Sequence, residues 1–410
     1  MRRFLCWLAL LAAGCTQAEP AGDPHRAFER FIGHLQAAET YVRTSPFYET
    51  EQEQAAGYLH LSRSLFKAIE QEMLQDPDFP FFRVLDFHVR EGGDNPDQRY
   101  LFAPIRGAAD YRIWGYRGSA DRIEVQLYAG EPWAGTGRSA GFLGMEDIRF
   151  NADGTFEVLL SKAQAAGRLL NPADATTVVV RQIYRDWSAK NPGDIHIDRV
   201  GFEGRAKPAM GVAEVARRLQ RTGEVAEQTI RVWPDFVQQR YIDARPANTL
   251  AELMDTGRYG GVPGRWMANG YFDIPPGHAL LIKTWPTAAK YQGIQLADRW
   301  FASLEYANQI SSLTTAQAQR AEDGAYYFVI GADDPGYANW LDTGGLRKGV
   351  VLLRFDGVQG SIPRELWPHA ELVKQERLAA LIPGFAKLSV EDRSRQIEAR
   401  RKHVQTRFHR

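Results

Sequence analysis

The sequence predicts an α+β protein that is mainly β. Its body would be two duplicated antiparallel β units, sandwich-like, with N-terminal, middle and C-terminal helices. Three observations lead to this prediction: helical apolar spacing ends near residue 75, strand patterns follow in two blocks, and the second block repeats landmarks of the first. Because 44% of the residues are hydrophobic, the chain can bury a substantial core.

The first 14 residues have the layout of a bacterial signal peptide. Arg2 and Arg3 precede an apolar run at 4–13, which is too short to remain as a membrane-spanning helix. The tetrapeptide AAGC at 12–15 resembles a lipobox, so we expect Cys15 to be acylated and to become the mature N-terminus. The alternative is cleavage after residue 18, which would release a soluble periplasmic protein.

The few cysteines and the balanced charge narrow the possible chemistry. Cys6 lies in the apolar run and Cys15 is the only other cysteine, so the mature chain has no internal disulfide and no cysteine cluster for zinc. The 50 basic and 50 acidic residues give no reason to expect a nucleic-acid partner. We expect no metal and no cofactor. Thr16, which follows the cysteine, resembles the sorting signal of lipoproteins that reach the outer membrane and face the periplasm.

The rest of the chain divides by its apolar periodicity and by its Gly-rich connections. Residues 15–24 form a polar tether, as expected between a lipid anchor and a folded body. The body then follows in this predicted order: an N-terminal helical segment at 25–75, a first β unit at 76–205, a helical connection at 206–262, a second β unit at 263–360, and a helical basic tail at 361–410. Ser389 is the expected N-cap of the last helix.

An internal duplication is indicated by three landmarks in the same order. Strand 123–127 corresponds to 293–296, with Gln126 matched to Gln295. The Asp-Gly turn at 153–154 corresponds to the one at 323–324, and VVVR at 178–181 corresponds to VLLR at 351–354. Each copy would bury its apolar face either within itself or against the other copy. A ligand site between the two halves is then the natural concavity.

Several motifs resemble a bacterial family of proteins of unknown function, numbered twelve-fourteen. They are GGDNPD at 92–97 with RY at 99–100, VRQ at 180–182 with YRDW at 184–187, NGYF at 269–272, SSL at 311–313, DDPG at 333–336 and NWLDT at 339–343. The resemblance covers most of the mature chain. It implies a mainly β bacterial protein and carries no activity.

The candidate ligand site follows from the last of these motifs. Asn339, Trp340 and Asp342 join an amide, an aromatic ring and a carboxylate, a mixture that suits a polar ligand. We expect them to line the main pocket, without a metal, and we expect Arg354 to lie nearby. Further candidates are Arg181, which is the duplicate of Arg354, the duplicated Gln295, and Tyr306.

Two groups of basic residues each allow two hypotheses. Arg181 and Arg354 leave core strands, so they would either pair with Asp186 or Asp356 or clamp an anionic ligand. The seven basic residues of 393–410 would either form a solvated helix face or rest on anionic lipid.

Two apparent catalytic motifs are weak. GRSAG at 137–141 matches a nucleophile elbow, but its flanks predict a loop rather than a strand and a helix. DIHID at 194–198 alternates, which predicts a solvent-facing strand with both isoleucines directed inward.

The leading functional hypothesis is therefore an exported lipoprotein that binds a small molecule or glycan between two pseudo-repeated β units, with the membrane contacted through its lipid anchor. One alternative is a carboxylate-dependent hydrolase or lyase that acts on an envelope or imported polymer, using Asp342 or Asp333 with Tyr306. Another is a scaffold of an outer-membrane assembly. Exposed apolar surface on the helices would favour the scaffold.

Overall fold

The computed structural model describes residues 22–130, 136–163, 167–188, 191–259 and 261–409. The predicted signal peptide and Cys15 lie outside these ranges. Among the described residues, no helix combines the length and the apolar character that a bilayer crossing requires.

Three long helices form a layer on one side of the molecule. Helix α1 (Pro24–Thr44) and α2 (Glu51–Ala68) form a hairpin, and α3 (Val212–Val237) contacts both of them. The first two are the helices predicted from the stripes of apolar residues. A capping box explains where α2 begins, because Thr50 and Glu53 each accept a hydrogen bond from the backbone N–H of the other. π-Helical turns at Ile69–Leu74 and Gln238–Ile242 extend α2 and α3.

The first β unit consists of two sheets. The five-stranded sheet has the order β1-β2-β8-β4-β5 and the four-stranded sheet has the order β7-β6-β3-β9. The strands are β1 (Arg83–Leu85), β2 (Gln98–Pro104), β3 (Tyr111–Tyr116), β4 (Arg122–Ala129), β5 (Arg138–Leu143), β6 (Thr155–Ser161), β7 (Arg168–Leu170), β8 (Ala175–Ile183) and β9 (Asp194–Arg199).

The second β unit repeats this plan strand for strand. Its sheets have the orders β10-β11-β17-β13-β14 and β16-β15-β12-β18. The strands are β10 (Met254–Asp255), β11 (Trp266–Asp273), β12 (His278–Thr284), β13 (Tyr291–Ala297), β14 (Ser312–Thr314), β15 (Tyr326–Gly331), β16 (Trp340–Asp342), β17 (Lys348–Asp356) and β18 (His369–Lys374). The predicted duplication is confirmed.

The duplicated turns agree in their hydrogen bonds as well. In the first, Asp153 Oδ1 accepts from the N–H of Thr155 at 2.9 Å, and in the second Asp323 Oδ1 accepts from the N–H of Ala325 at 3.1 Å. The following glycines have φ angles of 85° and 83°, a conformation that glycine adopts without strain. These turns connect matching positions of the two units.

Each unit has its own core. Ile123, Val125 and Leu127 point into the first, and Ile294 and Leu296 point into the second. The apolar faces are thus buried within each copy, which decides between the two arrangements considered from the sequence.

The helices connect the units crosswise. The N-terminal helices precede the first unit but pack on the second together with α3. Val42 of α1 and Ile230 of α3 share a cluster with Val350 and Leu352. A one-turn helix, α4 (Leu378–Leu381), follows the second unit. The last helix, α5 (Val390–Phe408), comes after it, yet its Val404 and Phe408 enter the core of the first unit. Ser389 caps α5 as expected. The predicted helical tail at 361–410 needs one correction, since it also contains β18, which completes the sheet that begins with β16.

Candidate binding site between the two β units

Both β units and α5 meet at a small cleft of about 220 Å³. The first unit contributes the loop that follows β8, the second contributes the surroundings of β14, and α5 contributes one face. The lining residues are Asp186, Trp187 and Ser188, then Ile310, Leu313 and Gln317, then Gln396, Ala399 and Arg400. This cleft is therefore a concavity between the halves.

Trp187 is held rigidly at the base of the cleft. Its Nε1 donates to Asp97 Oδ1 at 2.9 Å, and its ring stacks on His403 with centroids 5.0 Å apart. Burial raises the pKa of Asp97, while the hydrogen bond from the Tyr291 hydroxyl and the charge of Arg407 oppose this rise. The Trp187 ring is 7% exposed, so it offers only an edge to the cleft.

Arg400 places a buried cation beside Trp187. Its Nε donates to the carbonyl oxygen of Tyr306 at 2.9 Å, and its Nη1 and Nη2 donate to the carbonyl oxygen and the Oγ of Ser312, both at 2.8 Å. Burial lowers the pKa of Arg400 to about 10, which leaves the guanidinium charged at neutral pH. Three of its five N–H donors are used by these bonds. The guanidinium also lies 4.4 Å from the centre of the Trp187 ring.

The rim of the cleft is rich in hydrogen-bond donors. Gln317 Oε1 accepts from the N–H of Thr314 at 2.9 Å, and Gln396 Oε1 accepts from Arg393 Nη1 at 2.7 Å. Each amide oxygen thus already accepts one hydrogen bond, and neither NH₂ group donates to another of the residues that the structure describes. Asp186 supplies the carboxylate, and its pKa is lowered by hydrogen bonds from Ser188. Ile310 and Leu313 form an apolar wall.

The basic residues of the tail divide between two faces of α5. Arg395, Arg401 and Lys402 are exposed, as expected for a solvated helix face. Arg393, Arg400 and Arg407 are spaced by seven residues, so they share one helix face, and they are 8%, 4% and 1% exposed. That face is buried rather than solvated or directed at lipid. Arg393 forms a bidentate pair with Asp334, and Arg407 donates to the carbonyl oxygen of Pro96. The seven-residue spacing was visible in the sequence and is the signal that would have found them.

The duplicated arginines, Arg181 and Arg354, occupy matching positions in the two units, but neither of them lines the cleft. Arg181 Nη1 donates to Gln126 Oε1 at 2.7 Å, and Arg354 donates to Gln295 Oε1 and to the carbonyl oxygen of Gly93. Both pairs lie between the five-stranded sheets. Burial raises the pKa of Tyr100 there, and Arg354 and Arg181 both oppose this rise.

The ion pairs expected for these arginines are not formed. Asp356 pairs with Arg265 at 2.6 Å, and Asp186 bonds to Ser188. The partners of Arg181 and Arg354 are neutral oxygens instead, because the nearby carboxylates already serve other donors.

Asn339, Trp340 and Asp342 lie in the second unit, away from Arg354. The Asn339 amide donates to the carbonyl oxygens of Gln319 and Tyr327, and Trp340 Nε1 donates to the carbonyl oxygen of Gly331 at 2.9 Å. Asp342 accepts from the N–H of Gly344 at 2.7 Å, and burial raises its pKa. None of the four residues lines the cleft. Their side chains are used by local turns and strands.

Tyr306 adjoins the cleft from below. Its ring meets Trp187 edge-on with centroids 6.4 Å apart, and its carbonyl oxygen accepts from Arg400. Burial and the nearby Asp94 raise the pKa of its hydroxyl well above the ordinary value. Neither the hydrogen bonds nor the charges that act on Tyr306 involve Asp333 or Asp342.

The other motifs have structural roles. GRSAG lies largely in strand β5, not in the predicted loop. The strand continues past the serine to Leu143, and the serine Oγ accepts from Gln126 at 3.0 Å. DIHID forms β9, with Ile195 and Ile197 buried as predicted. Asp334 accepts from the N–H of Gly336 at 2.8 Å, as in a common turn.

A second, wider cleft of about 630 Å³ lies within the second β unit. It includes His278, Lys374, Glu376, Phe385 and Lys387, and the only ion pair among these residues in the described chain joins Lys374 to Glu376 at 3.9 Å. Within the described ranges, no group of three or more His, Cys, Asp or Glu residues is arranged to hold a metal ion.

Comparison with known proteins bears on the fold. No protein-family model and no curated protein matches the sequence. The structure is similar to that of an uncharacterized protein from Burkholderia cenocepacia, with a TM-score of 0.78 and 26% identity over 86% of this chain and 98% of that one. A protein from Vibrio parahaemolyticus aligns over 84% of this chain and 100% of its own, with 12% identity and a TM-score of 0.44. The Burkholderia likeness supports the duplicated α+β architecture.

Proposed function

We propose that this protein is an exported bacterial lipoprotein that binds a small molecule or a single glycan unit in the cleft between its two β units. The observation that carries the binding proposal is the joint construction of the cleft. Neither unit holds Arg400, which comes from α5, while Trp187 comes from the first unit and Gln317 from the second.

The lining chemistry limits the class of ligand. A buried guanidinium and two amide NH₂ groups are donors, so the ligand needs several acceptor oxygens. The wall of Ile310 and Leu313 suits a carbon skeleton. At about 220 Å³ the cleft lies below the range of about 300–1,000 Å³ that is typical of sites for drug-sized ligands. A monosaccharide, a sugar acid or a small hydroxy acid meets these conditions.

The export part of the proposal depends on the sequence. The apolar run at 4–13 and the lipobox-like residues before Cys15 support acylation, delivery to the outer membrane and a location facing the periplasm. The resemblance to the family numbered twelve-fourteen fits a bacterial protein of this kind.

A scaffold role in an envelope assembly is the second candidate. Helix α2 has Leu59 and Phe66 on its outer side, 52% and 56% exposed, and exposed apolar residues at helical spacing suit contact with another protein. The hydrolase hypothesis has less support, because Tyr306 and Asp342 share no partner.

A ligand screen tests the binding proposal. Monosaccharides, sugar acids and small hydroxy acids are added to the mature chain, and a ligand that binds the folded state raises Tm. Because one hydrogen bond contributes about 0.5–1.5 kcal/mol, Gln396→Ala and Gln317→Ala should each weaken binding by about 2- to 12-fold. Gln405→Ala is the matched control, since Gln405 is exposed on the same helix. If no compound shifts Tm, or if both cleft variants bind as the wild type does, the proposal is wrong.

A further inference from the structure

The described chain begins at one end of the helical layer, and exposed apolar side chains surround that point. Gly22 lies against Ala213 in the first turn of α3. Beside it, Val212 is 65% exposed and Met210 is 39% exposed. Soluble surfaces carry single apolar residues without consequence, so it is their grouping that requires an explanation.

Two neighbouring segments enlarge the group. Arg218 in α3 donates to the carbonyl oxygen of Gln75 at 2.7 Å, and the Gln75 amide donates to the carbonyl oxygen of Phe81 at 3.3 Å. These bonds hold the 74–81 segment beside α3, where Leu74 is 70% exposed and Phe81 is 78% exposed.

Helix α1 adds Phe28, which is 50% exposed and lies in the second turn after Pro24. We call this set the exit surface: Phe28, Leu74, Phe81, Met210 and Val212.

Charge is not what distinguishes the exit surface. Arg217 pairs with Glu214 at 2.6 Å, and Lys207 pairs with Asp76 at 3.1 Å. These cations therefore add little attraction for an anionic partner, and the apolar side chains are the feature that a partner would recognise.

The length of chain before Gly22 indicates which partner that is. Gly22 follows Cys15 by seven positions in the sequence, and a fully extended chain spans at most about 3.6 Å per position, or about 25 Å in total. A lipid on Cys15 would therefore keep Gly22, which lies beside Val212 of the exit surface, within about 25 Å of the bilayer. We propose that the exit surface rests on the phospholipid surface, with its apolar side chains entering the boundary between headgroups and acyl chains. This inference rests on the lipid-anchor part of the proposed function.

Site-specific quenching tests the orientation. Both natural cysteines are accounted for, Cys6 by the signal peptide and Cys15 by the acyl group, so one added cysteine provides a unique thiol for a fluorophore. Val212→Cys and Val390→Cys form a matched pair, because each is the first residue of a helix and the two are 65% and 78% exposed. The expressed full chain, purified after processing, is placed on vesicles of phosphatidylcholine and phosphatidylethanolamine that carry nitroxide lipids.

We expect the label at position 212 to be quenched at least about twofold more than the label at position 390, since nitroxide quenching requires close approach to the bilayer. Equal quenching at the two positions, or stronger quenching at 390, would overturn the proposal. Fatty-acid labelling of the same preparation reports on the anchor separately. If Cys15 carries no acyl group, the two variants are remade with Cys15→Ser, so that the added thiol stays unique, and are added to the vesicles from solution. Preferential quenching at 212 then still supports the exit surface, whereas its absence refutes it. Neither result depends on the ligand cleft.

Discussion

The guanidinium of Arg181 bonds to the side-chain oxygen of Gln126 at 2.7 Å, although Glu124 is the residue directly opposite Arg181 in the neighbouring strand. The Glu124 carboxylate instead accepts from Arg265 of the second unit at 3.2 Å. The duplicate of Arg181 is Arg354, which bonds to Gln295 in the same way, but Gly293 stands opposite it. A Cβ on Gly293 would lie 2.4 Å from the Tyr291 hydroxyl, which crosses to Asp97. Both copies therefore have the glutamine–arginine pair. The residue opposite the arginine differs, being Glu124 in the first unit and Gly293 in the second, and in each case it takes part in or makes room for a contact between the units.

The first prediction concerns this pair. Gln126→Leu leaves a buried guanidinium N–H without its partner, and losing a hydrogen bond to a charged group costs about 1.5–3 kcal/mol. Urea unfolding should show a loss of that size, and Gln295→Leu should show a comparable one. Gln405→Leu, at an exposed position, should change the free energy of unfolding by less than about 0.5 kcal/mol. A Gln126 variant as stable as the wild type would contradict the structural role.

Two buried groups should give opposite pH dependence. Burial raises the pKa of Asp298 from 3.8 to about 6, so between those values the folded state binds more protons and stability falls as pH rises. Burial lowers the pKa of His60 from 6.5 to about 4, so the folded state binds fewer protons there and stability falls as pH drops. In the wild type these two effects partly cancel.

Each effect should appear when its residue is replaced. As pH rises from about 4 to 7, the free energy of unfolding of Asp298→Asn should increase relative to that of the wild type by on the order of 3 kcal/mol. As pH falls over the same interval, the free energy of unfolding of His60→Gln should increase relative to that of the wild type by on the order of 3 kcal/mol. Unfolding by urea at several pH values measures both. The exposed His369→Gln serves as the control and should follow the wild type. If stability changed with pH in the same way in all four proteins, the pKa shifts assigned to Asp298 and His60 would be refuted.

The third prediction concerns the buried arginines of α5. Arg400→Ala removes three hydrogen bonds and leaves Asp97 with one cation fewer, so we expect a loss of about 3 kcal/mol. Faster proteolysis within 390–408 should accompany it. Arg395→Ala is the matched control, because its pair with Asp392 is at the surface and such pairs contribute about 0–1 kcal/mol. If both variants lost the same amount of stability, the structural role of the buried arginine face would be contradicted.

The fourth prediction concerns Trp340, a candidate ligand residue by sequence. It is 7% exposed and bonded to the carbonyl oxygen of Gly331, so Trp340→Ala should cost about 3–5 kcal/mol of stability. Trp114→Ala, at a position 38% exposed, should cost clearly less. Thermal unfolding compares the two. A stable Trp340→Ala protein that binds ligand poorly would restore the original hypothesis.

The fifth prediction concerns the anchor. Metabolic labelling with a fatty acid should mark the wild type and leave Cys15→Ser unlabelled, because the acyl group needs the thiol. The labelled protein should fractionate with the outer membrane. Label retained in the variant, or a mature N-terminus at Glu19, would show that Cys15 is not the anchor.

The local order of the chain could be predicted from sequence because it depends on neighbouring residues. The alternation in 123–127 and 293–296, the Asp-Gly turns and the Ser389 cap each report the conformation of a few consecutive residues. Their repetition was enough to predict two β units and to match Gln126 with Gln295. The candidate site could not be predicted in this way, because Trp187, Gln317 and Arg400 are distant in sequence.

The tertiary structure alone decided which charged and aromatic residues are buried. NWLDT contains the same residue types as a binding site, yet its groups are used by the turns around Gly331 and Gly344. The tail of α5 has the composition of a solvated helix, yet Arg400 and Arg407 lie against Trp187. A side chain's type states which bonds it can make, but its burial and partners depend on the surfaces that fold against it, and those come from remote parts of the chain.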